Sequence, residues 1–154
     1  MNLSRTKFII ILIVVNIALD QITKIIARIY IRKGQVIDVI GEVLQLYNVE
    51  NEGAFLGMGS DMNPTMKLIF LLILPVIVLG YVIYYILKNK EIDRLSLIAF
   101  CCIIGGGIAN VFDRIVYGSV TDFLHIDFGG VFRTGIFNVA DMSVTTGMFI
   151  LLYA

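Results

Sequence analysis

The chain of 154 residues is 58% hydrophobic and only 16% charged, whereas soluble domains average about 45–50% apolar and about 25% charged residues. This excess excludes an ordinary water-soluble core and predicts a protein whose solvent is lipid. The net charge of zero is not that of a nucleic-acid-binding surface, so no nucleic-acid partner is predicted.

Four segments reach or approach the length of about 20 apolar residues that a membrane-spanning helix needs. They predict spans at about 8–27, 66–87, 95–116 and 138–154, in a single membrane-embedded domain over 1–154. A cleaved signal peptide is the alternative for the first segment, because Arg5 and Lys7 precede it. No small-x-small cleavage site follows, and the helical pattern continues through Ile26, which favours a retained helix.

The loop between the second and third spans carries Lys88, Lys90 and Arg94, which favours a cytoplasmic position for this loop. Four spans would then place both termini in the cytoplasm as well. Basic residues also follow the first span on the opposite side, so the charge pattern supports this orientation only weakly.

Two segments, about 30–65 and 118–137, would lie on the outer side. In the first, two β-branched and apolar runs, 36–40 and 43–47, flank a glycine turn at Gly41, which is typical of a hairpin. The predicted fold class is therefore mainly α: a polytopic membrane protein of four transmembrane helices, with a small extracytoplasmic β platform between helices 1 and 2.

Ionisable residues inside membrane spans are costly and usually mark a function. Asp20, Thr23 and Lys24 share one face of the first helix, and Asp20 before Lys24 is the favourable order for an ion pair four residues apart. Two roles are open for this pair: fixing the helix against its neighbours, or a direct part in substrate binding.

The third span combines small and polar residues. Gly105 and Ala109 form a small-xxx-small pair, which predicts close helix packing. Asn110, Asp113 and Arg114 follow, and three polar residues together indicate a hydrogen-bond network. This network would either stabilise the bundle or position a functional site.

Two aspartates follow in the last third of the chain. Asp122 lies after the third span, and Asp141 lies at the start of the fourth. Consecutive spans are antiparallel, so both carboxylates belong at the same membrane boundary. An exposed loop acid for Asp122 and an ordinary helix-start acid for Asp141 remain the alternatives at this point.

Two aspartates that share one proton can hydrolyse a peptide bond, one as base towards water and the other as acid. Asn138 is a good N-cap residue, which places Asp141 in the first turn and favours its ionised form. We therefore expect Asp141 to be the base and Asp122 to hold the proton, as a preference within a coupled pair.

Other chemistry has little support in the sequence. His125 is the sole histidine and is predicted to be a polar residue of the outer loop. Cys101 and Cys102 are adjacent in an apolar run and are predicted to be buried thiols. No metal-ligand spacing is present, so neither a metal nor a cofactor is predicted.

Five motifs, taken in order, resemble the lipoprotein signal peptidase (signal peptidase II) family over nearly the whole chain. They are Asp20-Gln21-Ile22-Thr23-Lys24, Asn51-Glu52-Gly53-Ala54, the run from Gly106 to Arg114, Val120-Thr121-Asp122-Phe123 and Phe137-Asn138-Val139-Ala140-Asp141. Each motif alone is weak, but five in register on a four-span chain are specific.

The resemblance implies an intramembrane aspartyl endopeptidase of the bacterial cell membrane, with its site near the outer leaflet. Such enzymes cut prolipoproteins before the diacylglyceryl-modified cysteine and are blocked by globomycin. A monomer in contact with membrane lipid is expected. Asp122 and Asp141 correspond to the catalytic pair. The residues implied to bind substrate or support the pair are Asp20, Lys24, Asn51, Gly53, Ala54, Asn110, Asp113, Arg114, Asn138 and Ala140.

The chain departs from the family pattern at several positions. Phe55-Leu56 replaces an alanine and an aromatic residue, Met142 replaces a serine, and Ala109 stands where glycine is more usual. The aspartate pair is intact, so these departures concern substrate fit and inhibitor affinity.

Two other functions are alternatives for such a chain. An ion-coupled transporter would favour an inverted repeat or a midplane site, but the acids cluster at one boundary. A non-catalytic assembly subunit descended from the peptidase is the second alternative, against which the intact aspartate pair argues.

Overall fold

The computed structural model describes residues 3–154 as four helices and a small antiparallel sheet. The elements in chain order are α1 (Arg5–Tyr30), β1 (Ile37–Ile40), β2 (Leu44–Asn51), α2 (Pro64–Lys88), α3 (Arg94–Tyr117), β3 (Val120–Phe128), β4 (Phe132–Arg133) and α4 (Val139–Tyr153). A short 3-10 turn at Phe55–Gly57 lies between β2 and α2.

Side-chain caps set where the long helices begin. Ser4 accepts a hydrogen bond from the backbone nitrogen of Lys7 at the start of α1, and Asp93 accepts one from Ser96 at the start of α3. At the other end of α3, Gly118 adopts a left-handed conformation (φ 75°), which glycine tolerates without a Cβ clash. The chain can therefore turn sharply from α3 into β3.

α1, α2 and α3 are each long and apolar enough to cross a membrane, which confirms the first three predicted spans. Their outward faces expose large aliphatic side chains, as expected where lipid is the solvent. α4 is also apolar but has only 15 residues. The protein is thus a multi-pass membrane protein.

α2 is irregular near its start. Its backbone is π-helical over Leu68–Ile73, and Pro75 follows two residues after Ile73. Proline lacks an N–H and crowds the preceding turn, so a local change in hydrogen bonding is expected at this point. Pro75 then contributes to an apolar groove beside α3 and α4.

Glycines in α3 and α4 allow very close helix contacts. A Cβ on Gly106 would lie 2.5 Å from the backbone oxygen of Ala140 in α4, and one on Gly105 would lie 2.6 Å from Asn16 Cβ in α1. Ala109 is fully buried. The predicted packing role of Gly105 and Ala109 is confirmed.

The predicted hairpin is confirmed as β1 and β2, but the sheet is larger than predicted. Its strand order is β1-β2-β3-β4, so half of its strands come from the second outer segment. The platform is therefore not confined to the segment between α1 and α2. Asp122 and His125 lie in strand β3, and the prediction of an outer loop for His125 was wrong.

The pairing of β2 with β3 contains an irregularity. Leu46 pairs with Leu124, but Val49 pairs with Asp122, so two residues of β2 oppose the single residue Phe123. Such a bulge bends the strand and shifts the register beyond it by one residue. The three pairs beyond the bulge include Asp122.

Candidate active site

A buried charge cluster joins α1 to α3. The Lys24 Nζ lies 2.6 Å from Asp20 Oδ2 and 2.9 Å from Asp113 Oδ2, and all three side chains have no exposed surface. The ammonium group also donates to Asn110 Oδ1 at 2.9 Å. Three acceptors thus match its three donors, as a buried cation requires.

The same cluster reaches α4. The second oxygen of Asp20 accepts a hydrogen bond of 2.8 Å from the backbone nitrogen of Ala140. This N–H belongs to the first turn of α4, where free backbone donors favour a negative charge. Asp20 and Lys24 together therefore connect three helices.

Arg28 extends the cluster towards the sheet. Its Nε donates to Thr121 Oγ1 at 2.9 Å, its Nη2 lies 3.5 Å from Asp113 Oδ2, and its guanidinium group stacks 4.3 Å from the centre of the Tyr117 ring. This role of Arg28 was not predicted from the sequence. Its spacing of four residues after Lys24 was the available signal, since it places both cations on one helix face.

Asp122 is the buried carboxylate of the sheet. It is 3% exposed, and its Oδ1 accepts from Asn138 Nδ2 at 2.7 Å, while its Oδ2 accepts from Asn51 Nδ2 at 3.1 Å. Burial, reinforced by the nearby Asp141 carboxylate, raises the pKa of Asp122 to about 7, although both amide donors oppose this shift.

Asp141 is the half-buried carboxylate at the start of α4. Asn138 is the N-cap residue, and its side chain and that of Asp141 form a capping box, which confirms the predicted cap. The Oδ2 of Asp141 accepts from the Asn138 backbone nitrogen, and its Oδ1 accepts from Asn110 Nδ2, each at 3.1 Å. The carboxylate is thus held by one donor from the cap and one from α3.

Asn138 connects the two carboxylates. Its side-chain amide donates to Asp122 and its backbone nitrogen donates to Asp141. Asn138 itself is fully buried. The structure therefore brings Asp122 and Asp141 into hydrogen-bonding contact with one residue, at the end of the helices that carries the sheet.

The loop after β2 closes over this region. Asn51 Nδ2 donates to the Ala54 backbone oxygen at 2.8 Å, and Arg114 Nη2 donates to the Gly53 oxygen at 3.2 Å. A Cβ on Gly53 would lie 2.6 Å from the Met58 backbone oxygen, so only glycine fits here without a shift. α3 and the sheet thereby fix the loop from two directions.

Three cavities surround the two acids. A groove of about 540 Å³ runs between α2, α3 and α4 and is lined by Asp141, Asn110 and Arg114 at one end and mainly by apolar residues elsewhere. A second cavity of about 460 Å³ also contains Asp141. A third, of about 380 Å³, contains Asp122. Each carboxylate is thus reachable although mostly buried.

No group of three or more histidine, cysteine, aspartate or glutamate side chains within residues 3–154 has the arrangement of a metal site. Cys101 and Cys102 are free thiols, of which Cys101 is fully buried. The arrangement of Asp122 and Asp141 supplies two carboxyl groups with different donors, which is the chemistry of a general acid and a general base.

Comparison with known proteins identifies the same family as the sequence motifs do. The family model for signal peptidase (SPase) II matches residues 12–154. Lipoprotein signal peptidases of Borrelia duttonii and Pelodictyon phaeoclathratiforme are 34% and 37% identical, over 99% and 92% of this chain and 92% and 85% of their own lengths. The Streptococcus pyogenes protein is 31% identical over 96% of this chain and 92% of its own length.

The chain belongs to the signal peptidase II family. It also resembles a bacterial membrane enzyme solved by the in meso method at 2.3 Å resolution, with a TM-score of 0.84 and 27% identity over 96% of this chain and 86% of that one. A second structure, solved at 1.9 Å, gives a TM-score of 0.81 at 28% identity, over 96% and 91% of the two chains. The protein is therefore a peptidase.

Two positions that depart from the signal peptidase II pattern line the cavities. Leu56 and Met142 both contribute to the cavity of about 460 Å³ that contains Asp141. Leu56 has a positive φ of 57°, which is unusual for a residue with a branched side chain. The side chain of Phe55 lies outside the described residues.

Proposed function

We propose that this member of the family is an aspartic endopeptidase that removes the signal peptide from diacylglyceryl-modified bacterial prolipoproteins, cutting before the lipidated cysteine. Asp122 and Asp141 form the catalytic pair. The observation that carries this proposal is the pairing of a buried and a half-buried carboxyl group through Asn138, in a chain with near full-length signal peptidase II relatives.

The two acids have unequal surroundings, which supports different roles. The Asp141 carboxylate accepts hydrogen bonds from the Asn138 backbone and the Asn110 amide in the first turn of a helix, and these donors favour its charged form. The pKa of Asp122, about 7, keeps about half of this group protonated at neutral pH, far more than for an ordinary aspartate. Asp141 is thus the base and Asp122 the acid.

The reaction follows from these states. Asp141 takes a proton from a water molecule as the water oxygen attacks the scissile carbonyl carbon, while Asp122 donates its proton to the carbonyl oxygen. The tetrahedral intermediate then collapses, the C–N bond breaks, and the departing amine takes the proton held by Asp141. The proton on the former carbonyl oxygen returns to Asp122, which restores the starting pair.

The supporting residues act in three groups. Asn51, Asn110 and Asn138 orient the carboxyl groups through amide donors. Asp20, Lys24, Asp113 and Ala140 hold α1, α3 and α4 together behind the site, whereas Gly53, Ala54 and Arg114 shape the loop that closes over it. Because Asp20 and Lys24 have no exposed surface, we assign them a structural role.

The apolar groove between α2, α3 and α4 fits the hydrophobic part of a signal peptide. It is lined by Val144, Met148 and Phe149 on one side and leads to Asp141. A peptide within it would present its backbone to the acid pair without crossing the polar sheet.

We further propose that the whole chain is one peptidase domain with four membrane crossings and both termini in the cytoplasm. The sheet and the site then lie at the outer leaflet. The proposed enzyme works as a monomer surrounded by lipid and binds globomycin-type cyclic peptides at the acid pair.

Cleavage of a diacylglyceryl-modified prolipoprotein by the purified protein tests the assignment. We expect Asp122→Asn and Asp141→Asn each to lower cleavage by at least 10³-fold, because a single remaining carboxyl group cannot serve as both acid and base (on the order of 10²–10⁴ for each role). Asp38→Asn is the matched control, since Asp38 is an exposed acid of β1 in the same sheet. Equal cleavage by wild type and Asp122→Asn would refute the proposed mechanism.

A further inference from the structure

Glu50 makes a contact with β3 that the mechanism above does not use. One carboxylate oxygen accepts from Thr121 Oγ1 at 2.8 Å and the other accepts from Ser119 Oγ at 2.6 Å. Ser119 and Thr121 are two residues apart and thus lie on one face of the extended chain. Glu50 therefore holds the segment at two points just before Asp122.

This contact lies where the strand register is otherwise weakly defined. Beyond the bulge near Phe123, only three residue pairs join β2 to β3: Val49 with Asp122, Glu50 with Thr121, and Asn51 with Val120. The Glu50–Thr121 pair is the central one. A one-residue slip in a sheet moves each side chain to the opposite face, so a slip here would redirect Asp122.

The residues on either side of Thr121 penalise such a slip. Moved one residue in one direction, Glu50 would face Asp122 and would lose its hydrogen bond from the Thr121 hydroxyl group. Moved in the other direction, it would face Val120, which has no hydroxyl group to donate. Only the observed register satisfies the Glu50 carboxylate through Thr121.

Thr121 is also tied to α1. Its hydroxyl oxygen accepts from Arg28 Nε while its hydroxyl hydrogen is donated to Glu50, so both hydrogen-bonding functions of this fully buried group are in use. The Arg28–Thr121–Glu50 chain thus fixes the position of β3 relative to the helices on the one side and to β2 on the other.

We propose that Glu50 is a positioning residue for the peptidase reaction, acting through Thr121 to set the register that directs Asp122 towards Asp141. This inference rests on the proposed catalytic role of Asp122. Glu50 acts by accepting hydrogen bonds and not by its charge, because its partners are hydroxyl groups.

Steady-state cleavage of a diacylglyceryl-modified prolipoprotein peptide tests the inference. We expect Glu50→Ala to lower kcat roughly 10- to 100-fold with KM changed less than about twofold, since a displaced catalytic group costs about this much in rate. Glu50→Gln should retain kcat within about threefold, because its amide can accept from Thr121 and donate to Ser119. Glu42→Ala, an exposed glutamate of the β1–β2 turn, is the matched control.

Variants of Thr121 keep the test decisive if Glu50→Ala does not fold. Thr121→Val has nearly the same shape without the hydroxyl group and should lose kcat, whereas Thr121→Ser retains the hydroxyl group and should keep it. The Glu50→Ala/Thr121→Val double variant should be no slower than the slower single variant, because both act on one contact.

The inference is overturned if Glu50→Ala has the wild-type kcat, if Glu50→Gln falls as far as Glu50→Ala, or if the two single effects multiply in the double variant. These results are distinct from a failure of the proposed function. If the proposed function is wrong, Asp122→Asn will cleave the substrate as well as wild type does, whatever the Glu50 variants do.

Discussion

Lys24 is a cation with no exposed surface, and its stability depends on the groups around it. Asp20, Asp113 and the Asn110 amide oxygen take up its three donors. Removal of one member of a buried ion cluster leaves uncompensated charge, which costs far more than the loss of a surface pair. We therefore expect Lys24 to stabilise the helix bundle and not to take part directly in the reaction at the neighbouring acids.

We expect Lys24→Ala to destabilise the protein by roughly 3–5 kcal/mol, because two buried carboxylates lose their common partner. Thermal unfolding in detergent micelles measures this, and Lys90→Ala, an exposed lysine of the α2–α3 loop, is the control. The fraction of Lys24→Ala protein that folds should still cleave substrate, because the substitution weakens folding more than the reaction. Unchanged thermal stability with cleavage lost would contradict this expectation.

The protonation of Asp122 gives a pH dependence of known sign. With a pKa of about 7, Asp122 loses the proton that it donates to the substrate as the pH rises through neutrality. We expect kcat to fall on the alkaline side with an apparent pKa near this value. The pH profile of kcat for cleavage measures this. A profile in which kcat does not fall as the pH rises through neutrality would contradict the assignment of Asp122 as the acid.

The same group makes stability pH-dependent. Its folded pKa lies above the ordinary aspartate value of about 3.9, so the folded protein binds more protons than the unfolded one between about pH 4 and about pH 7. Its contribution to stability therefore decreases as the pH rises through this window. Asp122→Asn should remove that contribution, and its gain in melting temperature over wild type should be larger at pH 8 than at pH 4.

At the scale of the elements, the contact between α3 and α4 depends on glycine. An added Cβ at Gly106 would meet the Ala140 backbone oxygen, two residues from Asn138 and one from Asp141. A backbone atom cannot move aside as the end of a side chain can. The contact of Gly106 with Ala140 therefore fixes the distance between α3 and α4 at a point next to the acid pair.

We expect Gly106→Ala to lower stability by about 1–3 kcal/mol, as overpacking usually does, and to lower cleavage because α4 has to shift. Gly80→Ala is the matched control, since nothing lies within 4 Å of a Cβ at that position of α2. Thermal melts and cleavage rates compare the two. Equal behaviour of both variants would show that α3 and α4 tolerate a wider spacing.

The helices were predictable from the sequence, and β3 was not. Long apolar runs located α1, α2 and α3 to within a few residues, because burial in lipid selects such runs. In β3, Asp122 and His125 interrupt the apolar residues, and aspartate is uncommon in strands. The pairing of β3 with residues some 70 positions earlier has no local signature.

The candidate site was predictable in part for a related reason. Asn138 and Asp141 lie three residues apart, so helix capping chemistry alone revealed their contact. Arg28, Thr121 and Glu50 are far apart in the chain, although they are joined by hydrogen bonds in the structure. In the sequence, each of them is typical of an ordinary surface residue. Their connection depends on the packing of α1 against the sheet, which the sequence does not display.

At the scale of the whole molecule, the sheet and the α2–α3 loop lie at opposite ends of the helices. Val131, in the β3–β4 turn, is 93% exposed, and Lys90 is exposed in the α2–α3 loop. The proposed orientation places these two positions on opposite sides of the membrane.

Single cysteines at the two positions test this orientation, in a background where Cys101 and Cys102 are replaced by alanine. We expect a membrane-impermeant thiol reagent added to intact cells, with the outer membrane permeabilised where there is one, to label Val131→Cys but not Lys90→Cys. Lysis should make Lys90→Cys reactive. The reverse pattern would place the sheet, and the acids beside it, in the cytoplasm.

The use of Asn138 for both carboxylates has a mechanical consequence. Its backbone nitrogen and its side-chain amide belong to one residue, so the donors that hold Asp122 and Asp141 cannot separate by more than one side chain allows. Helices tilt when bilayer thickness changes, and such a tilt would carry both donors together. We therefore expect the spacing of the two acids to change little with the lipid composition of the surrounding membrane.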